Sequence, residues 1–355
     1  MNDMVPCVEQ HSQPSDRHAL WRRNRQQLVM DLQAGRTLVT GRPVHLKLEL
    51  TNYCNLSCPM CPHDSMRRPV GYMDPSLFRR IIDEAVPTLE FAYVHHLGES
   101  LFHGRVGELI SYGERRGVRM GLSTNATFLD DRKSRALLDA GLTFLVISLD
   151  AASEQSYGQM RRGGDFHKTV HNIERLLRLR HLERHPIRIV VQMIVSAHNE
   201  HEVTAFAQRW PDLVVLKQAR DWAGQVPLSS LRPKIQRPSD SIEHAQLSTL
   251  SEPCRLPWSE LTVLWDGNVV PCANVFEHEN LLGDLRVQSL AEVWNGEPIQ
   301  RLRRAHLRNA LSDVPVCRTC PRHALCADDF VAVDQLSQRL RNYVGGTLSP
   351  RSGLS

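Results

Sequence analysis

From His45 onward the chain alternates short apolar runs with amphipathic stretches. Apolar runs at 46–50, 91–94, 118–122, 144–149, 187–195 and 213–216 predict strands. The first alternates apolar and charged residues, as an edge or half-exposed strand does. Most of the others are near-continuous, as expected of parallel strands covered on both faces. Asp74-Pro75 supplies an N-cap with proline at the first helical position, and Leu77, Phe78, Ile81, Ile82 and Ala85 form the apolar stripe that follows. Gly117 and Gly141 stand where helix C-terminal glycines belong, each just before a strand. A longer helix is expected over 166–184, and Asn199 is placed to cap another running to Phe206. Six βα repeats in about 180 residues predict an α/β domain with a parallel sheet. The pattern leaves a doubly wound sheet and an open barrel as alternatives.

The flanks read differently. Residues 1–43 form a polar N-terminal extension with one helical stretch, 22–35, expected to be an appended helix or a loose arm. The repeats span 44–222. Residues 223–253, with four prolines, read as a linker or substrate loop. In 254–330, Asp266-Gly267-Asn268 predicts a hairpin turn, and one helix is expected near 289–306. Residues 331–355 read as a helix and a Gly/Ser/Pro-rich flexible tail.

Length and charge narrow the function class. At about 150 residues per domain, 355 residues suggest two domains. A formal net charge of +4, with no clustered basic face, argues against nucleic acid or a polybasic membrane contact. No apolar run reaches the ~18–20 residues of a membrane span, and the polar start lacks a secretory signal, so a cytoplasmic location is expected. The basic run Arg175, Arg178, Arg180, Arg184 and Arg188 shares its helix with Glu174 and Glu183 and reads as a solvated face.

The nine cysteines change the picture. In a reducing compartment, spaced cysteines are metal ligands or catalytic groups more often than disulfides. Cys54, Cys58 and Cys61 fall within eight residues, directly after the first strand, where parallel sheets and barrels build active sites. Cys254, Cys272, Cys317, Cys320 and Cys326 lie in the last third, and Cys7 stands alone. Two metal sites are predicted. Three thiolates at the first spacing suit a [4Fe–4S] cube with its fourth iron open; a zinc knuckle using His63 is the alternative.

Cys54-x3-Cys58-x2-Cys61 resembles the signature of radical S-adenosylmethionine (SAM) enzymes, and the likeness continues at successive strand ends. The second strand ends in Leu97-Gly98-Glu99, similar to the pair that holds the SAM amino group in that family. The third ends in Ser123-Thr124-Asn125-Ala126 and the fourth in Ser148-Leu149-Asp150-Ala151. Arg161 matches an arginine that holds the SAM carboxylate, and Gln192 to Val195 match a segment that packs on adenine. Met60 replaces the usual aromatic residue before the third cysteine, and a polarizable thioether also covers adenine. Ala126 and Ala151 stand where glycine is usual. The resemblance spans 45–222. It implies an open (β/α)6 partial TIM barrel, a [4Fe–4S] cluster whose open iron binds SAM, and an electron donor such as flavodoxin or ferredoxin.

The C-terminal cysteines resemble the auxiliary-cluster domains of radical SAM enzymes, of the SPASM and shorter twitch types. The spacing of Cys254, Cys272, Cys317 and Cys320 is similar to that of the 2-deoxy-scyllo-inosamine dehydrogenase type, which implies one fully ligated second [4Fe–4S] cluster. Phe330 occupies the position of a further SPASM cysteine, so two complete auxiliary clusters are not expected. A zinc ribbon is the alternative. Together these features imply an oxidoreductase acting on a small polar substrate, an aminocyclitol, sugar or related metabolite, with the auxiliary cluster as electron acceptor. The alternatives are a peptide-modifying maturase and a radical epimerase with Cys326 as hydrogen donor. Besides Cys326, the candidate catalytic residue is His96, one of the pair His95-His96 beside Gly98-Glu99. Trp222 either lines the substrate cavity or packs the linker.

Overall fold

The computed structural model describes residues 14–233, 253–318 and 320. Nine strands make one unclosed sheet: β1 (His45–Leu48), β2 (Phe91–Tyr93), β3 (Arg119–Thr124), β4 (Phe144–Ser148), β5 (Arg188–Val195), β6 (Val214–Gln218), β7 (Glu260–Val263), β8 (Asn268–Val270) and β9 (Gly283–Asp284). Their order is β6-β5-β4-β3-β2-β1-β7-β8-β9. The first six strands run parallel and neighbour one another in chain order. A doubly wound sheet reverses its order at a switch point, whereas successive right-handed crossovers in one direction keep the helices on one face. That decides for the open barrel.

The two faces of the sheet differ accordingly. Leu46, Leu48, Ala92, Val94, Leu122, Ile147 and Val191 are buried in the main core with helix residues Phe78, Ile81, Leu109 and Ile173. The opposite, inner face carries Lys47, Tyr93, Ser123, Ser148, Gln192 and Lys217. This corrects the reading of β1. It is no edge strand, because β7 pairs with its other side, His45 with Glu260 and Lys47 with Thr262. Its alternation marks a polar inner face. The C-terminal strands therefore continue the same sheet, with β7 and β8 antiparallel around Gly267, whose φ is +87°.

Helix α1 (Pro14–Gln33) is longer than the pattern suggests, and the segment after it is anchored. Trp258 and Trp294 donate their indole N–H groups to the carbonyls of Arg36 and Gly41 at 2.9 and 2.8 Å. Buried Arg303 donates to the Thr37 and Pro257 carbonyls, each at 2.8 Å. Helices α2 (Pro75–Ala85), α3 (Val106–Arg115), α4 (Asp131–Asp139), α5 (Glu154–Met160), α6 (Phe166–Leu182) and α7 (Val203–Arg209) follow the strands. Asp74 caps α2 through the amides of Ser76 and Leu77.

Two expectations change. Asn199 holds the N-cap position of the 3-10 turn Glu200–Glu202 that leads into α7, but its side chain makes no capping bond. Its amide donates to the carbonyls of Asp150 and Ile194 at 2.7 and 2.8 Å, tying the ends of β4 and β5. The helix expected near 289–306 is two, α8 (Leu290–Trp294) and α9 (Glu297–Leu307), broken at Asn295-Gly296. Pro298 has no N–H for an interior helix turn and fits at the start of a new helix. Among the described residues no helix is long and apolar enough to cross a membrane. Cys7, Cys326 and the segment 331–355 lie outside the described residues.

Candidate active site

The loop leaving β1 brings Cys54, Cys58 and Cys61 into one small apolar pocket, separate from the main core. Cys58 and Met60 are buried there with Leu56, Met160 and Leu231. Leu231 belongs to the segment read as linker, whose first turns close over the cysteine loop. Backbone amides two residues on meet two of the sulfurs: Leu56 N–H donates to Cys54 at 3.5 Å, and His63 N–H donates to Cys61. Burial pushes the Cys54 thiol up to about 11 and that of Cys61 up to about 12. Cys58 is also raised by burial, against the opposing pull of the Arg161 guanidinium.

Such thiols stay protonated at neutral pH unless a cationic group replaces their protons. Soft donors of this kind suit zinc or an iron–sulfur cluster. Zinc would need a fourth ligand; His63 holds its Nε2 to the Asn52 carbonyl at 3.0 Å and leaves its Nδ1 buried without a hydrogen-bond partner. Among the described residues no three His, Cys, Asp or Glu side chains gather tightly enough for a single metal ion. The donor set fits a cube, in which each thiolate addresses its own iron.

Arg161, at the C-terminus of α5, joins this pocket to β4. Its Nη1 donates to Cys58 Sγ at 3.6 Å, and its Nη2 pairs with Asp150 Oδ2 at 2.5 Å. Asp150 Oδ1 accepts from the Ile194 amide at 2.7 Å. The Arg161 Nε is buried without a hydrogen-bond partner.

The end of β2 packs against the same loop. Gly98 has φ +76°, and a Cβ there would lie 2.5 Å from the Thr51 carbonyl oxygen, so only glycine permits the approach. Glu99 is buried and its carboxylate is well occupied. It accepts from Leu101 N–H at 3.1 Å, Thr124 Oγ1 at 2.8 Å and Asn125 N–H at 2.7 Å. Asn125 in turn donates to Asn55 Oδ1 at 3.1 Å, with Cys54 Sγ 3.9 Å away. Asn55 and Thr127 were not legible as site residues, because no spacing marks them. Ala126 has φ +60°, the left-handed region that explains the family's glycine at this position.

A row of polar side chains crosses the inner face. The Tyr93 hydroxyl bonds to Ser123, Ser123 Oγ lies 3.4 Å from Ser148 Oγ, and Gln192 Nε2 donates to Ser148 at 3.4 Å. Gly121 leaves room for the Phe91 and Tyr93 rings. Lys47 is ion-paired with Glu260. His95 lies beside Tyr93, ring centroids 6.1 Å apart, whereas His96 turns away and bonds through Nε2 to the Val275 carbonyl at 3.0 Å.

Val275 belongs to the C-terminal cysteine loop. Cys272 accepts from the Asn274 amide and is close enough to Cys320 to be raised by it; burial is the larger cause and pushes it up to about 11. Asn274 Nδ2 donates to Cys320 Sγ at 3.3 Å. Cys254 and Cys317 are buried. Two further ties join this region to the first cysteine loop. Buried Arg68 forms a bidentate pair with Glu49 and donates through Nε to the Phe276 carbonyl at 2.5 Å. Trp222 donates to the Met60 carbonyl at 3.1 Å and meets Phe276 edge-on at 6.1 Å. An open concavity of about 570 Å3 beside Arg79, Arg80, Asp83 and Tyr112 lies apart, among surface ion pairs.

Residues 48–207 match the family model of the radical SAM superfamily. Residues 254–321 match that of SPASM, an iron–sulfur cluster-binding domain. The chain contains a radical SAM domain followed by a SPASM domain. A radical SAM domain implies a [4Fe–4S] cluster that binds SAM, and a SPASM domain implies auxiliary clusters. Among relatives, the tungsten-containing aldehyde ferredoxin oxidoreductase cofactor-modifying protein of Pyrococcus furiosus is 26% identical over 327 residues, 81% of this radical SAM chain and 89% of that protein. The S-adenosyl-L-methionine-dependent 2-deoxy-scyllo-inosamine dehydrogenase of Niallia circulans is 22% identical over 283 residues, 78% of this chain and 91% of that one. The fold resembles that of Streptococcus suis SuiB bound to precursor peptide SuiA, with TM-score 0.60 and 12% identity over 86% of this chain and 75% of that chain.

Proposed function

We propose that this radical SAM protein is an oxidoreductase that removes a hydrogen atom from a small polar substrate, an aminocyclitol, sugar or related metabolite. When bound, the first cluster and SAM supply a 5′-deoxyadenosyl radical, and the auxiliary cluster supplies a one-electron acceptor. Cys54, Cys58 and Cys61 would hold the first cluster, and Cys254, Cys272, Cys317 and Cys320 the second. Gly98 and Glu99 would receive the SAM amino group. Arg161, through the free donor at Nε, would take its carboxylate. Met60 and Gln192 would flank adenine, with Ser123, Asn125, Ser148 and Asp150 shaping the walls. His96 is tied to Val275 and acts as a positioning residue.

The observation that carries the substrate class is the polar inner face of the sheet. Beyond the residues given to SAM, Lys47, Tyr93 and Lys217 present polar groups on that face, which suit a hydrogen-bonding substrate. The relation to the 2-deoxy-scyllo-inosamine dehydrogenase supports the same class. Deuterium transfer from labelled aminocyclitols or sugars into 5′-deoxyadenosine tests it. Transfer from such a metabolite is expected; transfer from a peptide alone overturns the substrate class.

A further inference from the structure

The inner face holds one cation more than its local pairing uses. Lys47 is matched by Glu260, and Arg161 by Asp150. Lys217, on β6, stands in register with Ile194 of β5 and so projects from the inner face beside Gln192. Among the described residues its ammonium has no hydrogen-bond or ion-pair partner. The Lys217 side chain is exposed at the end of β6 and so is open to a ligand. Desolvation by the surrounding protein, with the charges of Arg220 and Lys47 nearby and that of Asp150 opposing them, pushes it down to about 8, so it is still mainly protonated at neutral pH.

His95 is the second member. Its charged neighbours are Arg161 and Lys217, and burial holds its ring neutral. Its Nδ1 is buried without a hydrogen-bond partner. A neutral imidazole donates one N–H, and an ammonium adds a charge-assisted bond. An orphaned ring nitrogen and an unmatched cation on one face of the sheet are complementary to an anion.

We propose that Lys217 and His95 form an anion subsite on the inner wall of the sheet, which takes a carboxylate or phosphate group of the substrate. The inference rests on the reading that the substrate lies against this face, and it narrows the polar metabolite to one bearing a negative charge at that end.

The test uses the reconstituted holoenzyme with SAM bound. Acylation of individual lysines is followed by mass spectrometry in inorganic phosphate, acetate or chloride at equal ionic strength. Slower acylation of Lys217 in phosphate supports a phosphate-bearing substrate, slower acylation in acetate a carboxylate, and protection by both the shared anion site. Calorimetry should show Lys217→Gln binding the protective anion about tenfold more weakly, with Lys217→Arg retaining most of the affinity. No protection by either anion overturns the proposal. So does full protection by SAM alone, which would assign Lys217 to the SAM carboxylate. SAM cleavage by the same preparation reports separately on the enzymatic reading, so either can fail without the other.

Discussion

The Trp222 indole N–H donates to the Met60 backbone carbonyl at 3.1 Å, between the second and third cysteines of the first cluster loop. The same ring meets His96 and Phe276, at 6.5 and 6.1 Å between centroids. Trp222 has φ +51° and Ala223 +59°, a strained backbone held in place by these contacts. Trp222→Phe keeps the ring and loses the donor. It should lower stability by about 1 kcal/mol in urea denaturation and weaken SAM binding several-fold in equilibrium dialysis. Trp222→Ala should lose more in both. Unchanged SAM affinity in Trp222→Ala would mean that the ring does not position the loop.

Arg161 and Asp150 form a buried pair at 2.5 Å. Removing one partner leaves an uncompensated buried charge, at a cost of about 3–5 kcal/mol. Arg161→Met should therefore be strongly destabilised, and Arg161→Met/Asp150→Asn should recover much of the loss. Both variants should fail to retain SAM. A double variant with wild-type SAM affinity would remove Arg161 from the carboxylate site.

The two cysteine groups should separate by iron content. Cys54→Ala is expected to lose about four irons per chain together with reductive SAM cleavage. Cys272→Ala and Cys320→Ala should also lose about four irons while SAM cleavage persists and substrate oxidation stops. Iron analysis alongside 5′-deoxyadenosine quantification checks this. Full substrate oxidation by Cys272→Ala would exclude the auxiliary cluster as acceptor.

Burial holds His96 neutral, its pKa down to about 3, against about 6.5 in an unfolded chain. Between these values the unfolded state binds a proton that the fold excludes, so this group costs stability as pH falls below about 6.5. His96→Gln keeps a donor toward Val275 and removes the titration. The urea midpoints of wild type and variant should differ by a constant amount above pH 7, and the difference should shift in the variant's favour from pH 6.5 down to 4. A constant difference throughout would show that His96 is not held neutral.

The strand pattern and the strand-end motifs were legible because each is local. The positions of the β-strands follow from apolar runs, and Gly98 from its place after one. What escaped depends on contacts between distant segments. Lys47 looked like a mark of an edge strand because nothing near it in sequence announces Glu260 across the β1–β7 pairing. Asn199 looked like a capping side chain because its real partner, the Asp150 carbonyl, lies about fifty residues earlier. The adjacent histidines could not be told apart until the fold showed which one meets Val275. The bolt formed by Glu49, Arg68 and Phe276 carries no motif at all.

The central claim is that Cys54, Cys58 and Cys61 hold a cluster that cleaves SAM. The direct measurement is anaerobic incubation of the reconstituted chain with SAM and a strong reductant, with 5′-deoxyadenosine quantified by chromatography. The account requires 5′-deoxyadenosine from the wild type and none from Cys54→Ala, Cys58→Ala or Cys61→Ala. A wild type that carries its iron and yields none, or a variant that yields as much as wild type, would contradict it.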